Sequence, residues 1–448
     1  MGRGQRAESR GWRRVRQVVR LLTPACLCAV VAIANACLPP LQPPPPNVPA
    51  PSPVDRFRAY SESVMQARAR DSGYAWRADH FPVLDIHGPY TRPLLPAGAD
   101  TNDPVAYYKL GDSVMKLKQG LADRAFYWAL RLDPTMADAY YRRWQVLHEG
   151  VTYRLFPDSS IRFYRHPSYD DSAAAAVDSL RLSAFMYNPF LDAALDIPLR
   201  IRNLRERDAD RDARVAGLWA YSKGNYKKAV AKLGEAIRKH PDEVMFHVPR
   251  AYAWAHLQQI DSAVADLNAF IARIERFQES TVAPYISKDR LYYGIGVLRG
   301  GQGRYAEARS AYESVLAENL GFYMAHVRLS AVAQLLHDTT TALLELETAA
   351  LMRADDPVVL TMHGGFLAGA GRLADAERQL RAAIHADTDY ALPYAVLGQA
   401  AEQRHDTAKA LSDYREYLAR SSRDAAERGW VSEHVARLAA TPNGGGAR

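Results

Sequence analysis

Six alanines, Ala229, Ala263, Ala308, Ala342, Ala376 and Ala410, punctuate the second half of this chain, and four of the five intervals between them are 34 residues. The remaining interval, Ala263 to Ala308, is 45, and its surplus of 11 falls in the Pro-containing stretch 276–287. Four residues after each alanine stands a large side chain: Leu233, Leu267, Tyr312, Leu346, Leu380 or Tyr414. Three further on come Ala236, Phe270, Val315, Ala349, Ala383 and Tyr417. Positions i, i+4 and i+7 line one face of an α-helix. Twelve residues upstream of each alanine is a second small set, Gly217, Ala251, Gly296, Ser330, Gly364 and Gly398, which lets a preceding helix approach closely. Gly224, Gly303 and Gly371 supply turns between the two. Each period is therefore a helical hairpin that cannot cover its own apolar face, and the next hairpin completes the burial. With 48% hydrophobic residues in 448, the chain has enough apolar content for a long array of such units.

The period, the small residues and the turn glycines resemble the tetratricopeptide repeat. The pattern is clearest in YALPYAVLGQAAEQRHDTAKALSDYREYLAR from Tyr390, where Tyr394, Leu397, Gly398, Ala410 and Tyr414 match residue by residue. An earlier copy supplies Tyr107, Leu110, Gly111, Ala122, Phe126, Ala129 and Pro134 with one residue deleted. The family's Trp is replaced by Ala213, His247, Tyr292, His326 or Leu360 in other units, and its closing Pro survives at Pro134, Pro189 and Pro241. The resemblance implies an all-α fold, a right-handed α-solenoid of about seven tetratricopeptide-like repeats spanning Asp103 to roughly Arg420.

Around this array the chain divides by composition. Residues 1–36 hold seven Arg against Glu8, then the apolar run LLTPACLCAVVAIA and small residues before Cys37, the layout of a secretory signal peptide. Without it, 50 basic residues face 49 acidic ones, so the pI near 9.1 belongs mostly to the leader and does not argue for nucleic-acid binding. The other two cysteines, Cys26 and Cys28, lie inside the apolar run, so no disulfide framework follows. Ala34-Asn35-Ala36-Cys37 resembles a bacterial lipobox, which implies lipidation of Cys37 and a membrane-anchored lipoprotein of the bacterial cell envelope; ordinary cleavage after Ala36 would give a soluble secreted or periplasmic protein. Residues 37–54 read as an extended Pro-rich tether and 55–102 as a helix and coil. Repeat-like units over 103–209 carry an insertion at 151–170, rich in Tyr, Phe and Arg, between helices at 136–150 and 171–188. The array proper occupies 210–422, and 423–448 reads as a capping helix and tail.

Catalytic constellations are sparse. There is no G-x-S-x-G, P-loop or H-E-x-x-H, and His148-Glu149-Gly150 stops short of the zinc motif. His363 and Gly364 fall in register with the repeat, as do Gly294 and Gly296, so packing accounts for them. His80, Asp85 and His87 lack a fourth ligand, and Asp208, Asp210 and Asp212 are flanked by arginines without the Gly and distal Glu of a calcium loop. The sequence thus predicts no enzyme, no cofactor and no metal.

A non-catalytic solenoid acts through its surface. In a right-handed stack the first helices line the concave face, where Arg211, Arg214, Tyr221, Tyr252, His256, Arg290, Tyr293, Gln334, Gln399 and Glu402 fall one turn apart. Tyr252 and Tyr293 could stack on an extended peptide while Arg211, Arg214 and Arg290 pair with its carboxylates. The Lys, Asn, Asn, Lys, Arg set of chaperone-binding relatives is not assembled. The expected function is a scaffold or adaptor for a protein or peptide partner, with no nucleic acid. The alternatives are a glycan-binding module using Tyr153, Phe156, Phe163 and Tyr164 of the insertion, or an enzyme or regulatory subunit with a site formed by 55–102 and the insertion.

Overall fold

The computed structural model describes residues 90–115, 117–148, 152–155, 161–164, 171–191, 213–241, 246–280 and 286–440. The leader, Cys37, the tether, the expected helix at the start of 55–102, and His80, Asp85 and His87 lie outside the described residues. The chain divides into two compact units. Among the described residues, one holds 188–348 and the other combines 90–187 with 349–440.

In the first unit four hairpins follow one another: α5 (Ala213–Ser222) with α6 (Tyr226–Lys239), α7 (His247–His256) with α8 (Ile260–Ser280), α9 (Asp289–Gly301) with α10 (Tyr305–Glu318), and α11 (Tyr323–Leu335) with α12 (Thr339–Met352). The unit boundary falls inside α12. Successive helices from α5 to α11 pack on one another, so each second helix also supports the first helix of the next hairpin. The second unit holds α1 (Pro104–Val114), α2 (Gln119–Leu132), α3 (Ala137–His148) and α4 (Asp171–Tyr187). It also holds the hairpins α13 (Pro357–Gly369) with α14 (Leu373–Ala386) and α15 (Leu392–Gln403) with α16 (Thr407–Arg420), closed by α17 (Arg428–Ala440).

The periodic residues do what their spacing predicts. All six alanines are fully buried, and the large side chains four residues later are at most 2% exposed. A Cβ added to Gly111 would stand 2.6 Å from the ring of Phe126, one on Gly217 2.7 Å from Leu233, and one on Gly364 2.6 Å from Leu380. At Gly296 and Gly398 it would collide with Tyr312 and Tyr414. The turns repeat as closely. The residues before the second helices, Gly224, Gln258, Gly303, His337, Gly371 and His405, all have φ between 60° and 76°. Each is followed by a residue whose N–H donates to the carbonyl five positions back: Asn225 to Ala220, Gln259 to Trp254, Arg304 to Arg299, Asp338 to Ala333, Arg372 to Leu367 and Asp406 to Ala401. Asn225, Asp338 and Asp406 then cap the second helix with their side chains.

The irregular interval resolves into helix. α8 runs 21 residues against 14 for α6, α10 and α14, so part of the surplus expected to lie in a Pro-containing connection extends a helix through Ser280. The insertion contains an antiparallel pair, β1 (Thr152–Leu155) and β2 (Ile161–Tyr164), the one departure from all-α structure among the described residues. α17 buries Val431 and leaves most of its surface to solvent, as a terminal cap must.

Contacts across the whole length of the chain build the second unit. Arg131, at the end of α2, pairs with Asp387 at 3.1 Å and with Asp389, just beyond α14. The Asn102 side chain donates to the Ala419 carbonyl at 2.8 Å, and the Arg423 N–H donates to Asp100 at 2.6 Å. Asp387 is fully buried and its Oδ2 has no partner. Burial raises its carboxyl to about 7 despite the Arg131 guanidinium and the N–H groups of Asp389 and Tyr390, which favour the anion.

Two outcomes follow. Gly296→Ala drives a methyl into Tyr312, whose hydroxyl is buried, and should destabilise by about 2–3 kcal/mol in urea melts, whereas Gly429→Ala, with open space at its Cβ, should cost little. Because the folded Asp387 carboxyl binds its proton more tightly than the unfolded one, its contribution to stability falls as pH rises from about 4 to 7 and is level above that. Asp387→Asn should therefore gain stability relative to wild type across that window, by up to about 4 kcal/mol, read from urea midpoints at pH 4.5 and 8.

Candidate functional site

The first helices carry the predicted binding residues, and burial sorts them sharply. Tyr293 on α9 is fully buried, with its ring 4.9 Å from Phe322 and 5.9 Å from Tyr312, and its hydroxyl accepts from Arg328 at 3.4 Å. Tyr252 on α7 is 2% exposed, with its ring edge-on to Phe190 at 5.1 Å and its hydroxyl against Gly294 of the next hairpin. Arg214, Tyr221 and Gln334 are also buried. Tyr252 and Tyr293 therefore do not present faces on which a peptide could stack; they fill the space between hairpins. The physical reason is the short reach between adjacent first helices, where a glycine such as Gly294 leaves a slot that an aromatic ring occupies.

Two whole first helices go further. Every residue from Tyr323 to Gln334 on α11 and from Pro357 to Ala368 on α13 is buried. α13 (PVVLTMHGGFLAG) has no charged side chain, and a helix apolar on all sides has no face to give to water. His363 within it is held neutral, its imidazolium pushed down to about 4 by burial first and by Arg372 and Arg378 second. Gly364 and Gly296 lie inside helices against Leu380 and Tyr312, as the repeat register implied.

The predicted positions His256, Arg290 and Gln399 retain some access. Tyr221, Tyr226 and His256 form an aromatic cluster at the turn of the first hairpin, with His256 stacked on Tyr226 at 4.0 Å and 3°. Burial lowers the His256 imidazolium to about 4, so at neutral pH the ring is uncharged. Arg290 is exposed, and its neighbours are fixed: Lys288 pairs with Glu275 at 3.1 Å and Glu318 at 3.2 Å, and Asp289 accepts from Asn319 at 2.9 Å. In the other unit Gln399 is half-buried. Glu402, one turn on, accepts from Tyr414 at 3.0 Å and meets His434 at 2.7 Å and Arg437. Glu402 thus anchors the cap α17.

Arg211, Phe156 and the lipidation residue Cys37 lie outside the described residues. In the insertion, Tyr153 stands opposite Phe163 and Thr152 opposite Tyr164 across the strand pair. Among the described residues no group of three His, Cys, Asp or Glu is arranged to hold a metal ion, and no helix is long and apolar enough to cross a membrane. Reading by concave-face position also passed over Trp219, which is 39% exposed on α5 with the Lys223 ammonium 5.6 Å from its ring. Its signal was the run of lysines that follows, a charge pattern and not a repeat position.

Residues 215–275, spanning α5 to α8, match the family model described as tetratricopeptide repeat. A relative from Saccharomyces cerevisiae, small glutamine-rich tetratricopeptide repeat-containing protein 2, is 30% identical over 119 residues, 25% of this chain and 31% of its own length, so the chain spans about a third of that relative. Among solved structures, YrrB, described as a TPR protein with an unusual peptide-binding site, aligns at 19% identity and a TM-score of 0.36 over 46% of this chain and 97% of its own. MamA from Desulfovibrio magneticus RS-1 aligns at 17% and 0.34 over 40% and 94%, and the Cut9–Hcn1 assembly at 13% and 0.38 over 86% and 83%.

The sorting by burial is open to a direct check. Tyr293→Ala should lower stability by about 3–5 kcal/mol, while Arg290→Ala three residues away should stay within about 0.5 kcal/mol of wild type in the same urea melts.

Proposed function

We propose that this chain, built on tetratricopeptide repeats, is an exported scaffold held at a bacterial cell-envelope membrane by a lipid on Cys37, and that it binds a protein or peptide partner through the first-helix face at Arg290. The observation that supports the reading is a division of roles within each hairpin. The residues that recur with the period are consumed by packing, so what the array offers a partner lies in the residues that do not recur. Arg290 is such a residue. It is exposed, and the ion pairs of its neighbour Lys288 to α8 and α10 hold the backbone that carries it. Tyr252 and Tyr293 serve this surface from beneath, as the packing that holds α7 and α9 in place.

The test is in-cell crosslinking of the full-length chain with its leader, followed by mass spectrometry of captured proteins and of the mature N-terminus. A diacylglyceryl mass on Cys37 and a recurrent partner whose yield falls about tenfold in Arg290→Glu, with thermal unfolding unchanged, is the expected result. An unmodified N-terminus removes the anchor, and undiminished capture by Arg290→Glu removes the face. The strand pair β1/β2 favours a second reading in which the insertion carries recognition; loss of capture in Tyr153→Ala/Phe163→Ala alone would select it.

A further inference from the structure

The second helices allow an internal comparison, because the period fixes which positions must pack and which are left open. Seen down α6, Lys227, Lys228, Lys232, Glu235, Arg238 and Lys239 fall within an arc of about 140°, opposite the buried Ala229, Leu233 and Ala236. Lys223 stands in the preceding turn, with its ammonium over Trp219 of α5. Residues 223–240 thus carry six basic side chains against Glu235, in a body that beyond the leader is nearly neutral. Lys232 and Lys239 share Glu235, at 2.8 and 2.7 Å, while among the described residues no carboxylate pairs with Lys227, Lys228 or Arg238.

Packing does not call for this charge. At the position of Lys227 the other second helices carry Asp261, Ala306, Thr340, Ala374 and Ala408; at that of Lys232 they carry Asp266, Ala311, Glu345, Gln379 and Asp413. No other second helix of the array concentrates basic residues in this way. A basic face of this kind, with Glu235 its one carboxylate, complements a surface of clustered negative charge such as anionic lipid headgroups.

We infer that the outward face of α6 docks the folded body on an anionic lipid surface. The choice of lipid over an acidic protein rests on the anchor reading of the preceding subsection. A lipid on Cys37 and an extended tether over 38–54 would confine the body within a reach of about 50 Å plus the length of the segment that follows. That confinement makes a weak electrostatic surface contact effective, because the second attachment becomes intramolecular. The docked orientation would turn the α6 face to the headgroups.

The experiment uses the full chain with Cys37→Ser, so that no acyl chain contributes, and co-sedimentation with vesicles of phosphatidylcholine containing about a third phosphatidylglycerol, against pure phosphatidylcholine. Binding to the anionic vesicles only, weakened by salt and reduced about tenfold or more by Lys227→Glu/Lys228→Glu, is the result expected. Both lysines are exposed, so the fold should be unchanged by circular dichroism. Binding by the Arg-rich leader is measured with a peptide of residues 1–36 and subtracted from every variant, and any remainder that survives the lysine reversals overturns the inference. Failure to bind anionic vesicles at low salt overturns it too, as does retention on immobilised polyglutamate without vesicle binding, which would assign the face to an acidic protein. The wild-type N-terminal mass reports the anchor separately; face-dependent binding with an unlipidated Cys37 would leave the docking intact and remove the tether.

Discussion

Everything in this fold depends on how closely a first helix can approach the second helix of its own hairpin. Gly111, Gly217, Gly296, Gly364 and Gly398 each face a Phe, Leu or Tyr at a distance where even a methyl would not fit. This contact sets the separation of the pair. The separation sets where the paired apolar faces end, and hence what the next hairpin must supply. The same contact explains why the large member varies between Leu and Tyr without breaking the period: it inserts into the notch of a missing side chain, which admits a branched aliphatic group or a ring.

Most of the architecture was legible because it is written in residues whose role is steric. The alanines, the large residues after them and the upstream small set gave the hairpins. The turns were half legible. Gly224, Gly303 and Gly371 announced a left-handed residue, but Gln258, His337 and His405 adopt the same conformation without announcing it. Their strain, of about 1 kcal/mol each, is offset by the two hydrogen-bonded helix ends they join. The length of α8 was not legible, since Arg276 to Ser280 reads equally as helix end or connection until α8 is seen packed against α9.

The candidate site was the least legible part. Sequence phase says which residues of a first helix point away from its partner, and it says nothing of what else comes to cover them. Aromatic rings such as Tyr252 and Tyr293 bind well and also fill gaps well, and here they are buried; the amino-acid type cannot separate the two. A signal was available in α13, whose first-helix sequence is apolar on every side and so could not have lined a wet groove; α11, with His326 and Arg328, carried no such signal. The basic arc of α6 shows the converse. Charge on the outside of a helix leaves no trace in a packing pattern, and it stands out only when the equivalent positions of sister repeats are compared.

The pairing of Arg131 with Asp387 and Asp389, and of Asp100 and Asn102 with Arg423 and Ala419, has a consequence for the order of events as the chain is made. A simple repeat array can fold from its first unit onward, each new hairpin finding its support already in place. Here the first hairpin has partners that are synthesised only after residues 188–348 have been completed. The intervening repeats can settle while the earliest ones wait, so the unit that contains the start of the array is the last to be finished. Its assembly requires closure of a long loop, made less costly because the loop is itself already folded into hairpins.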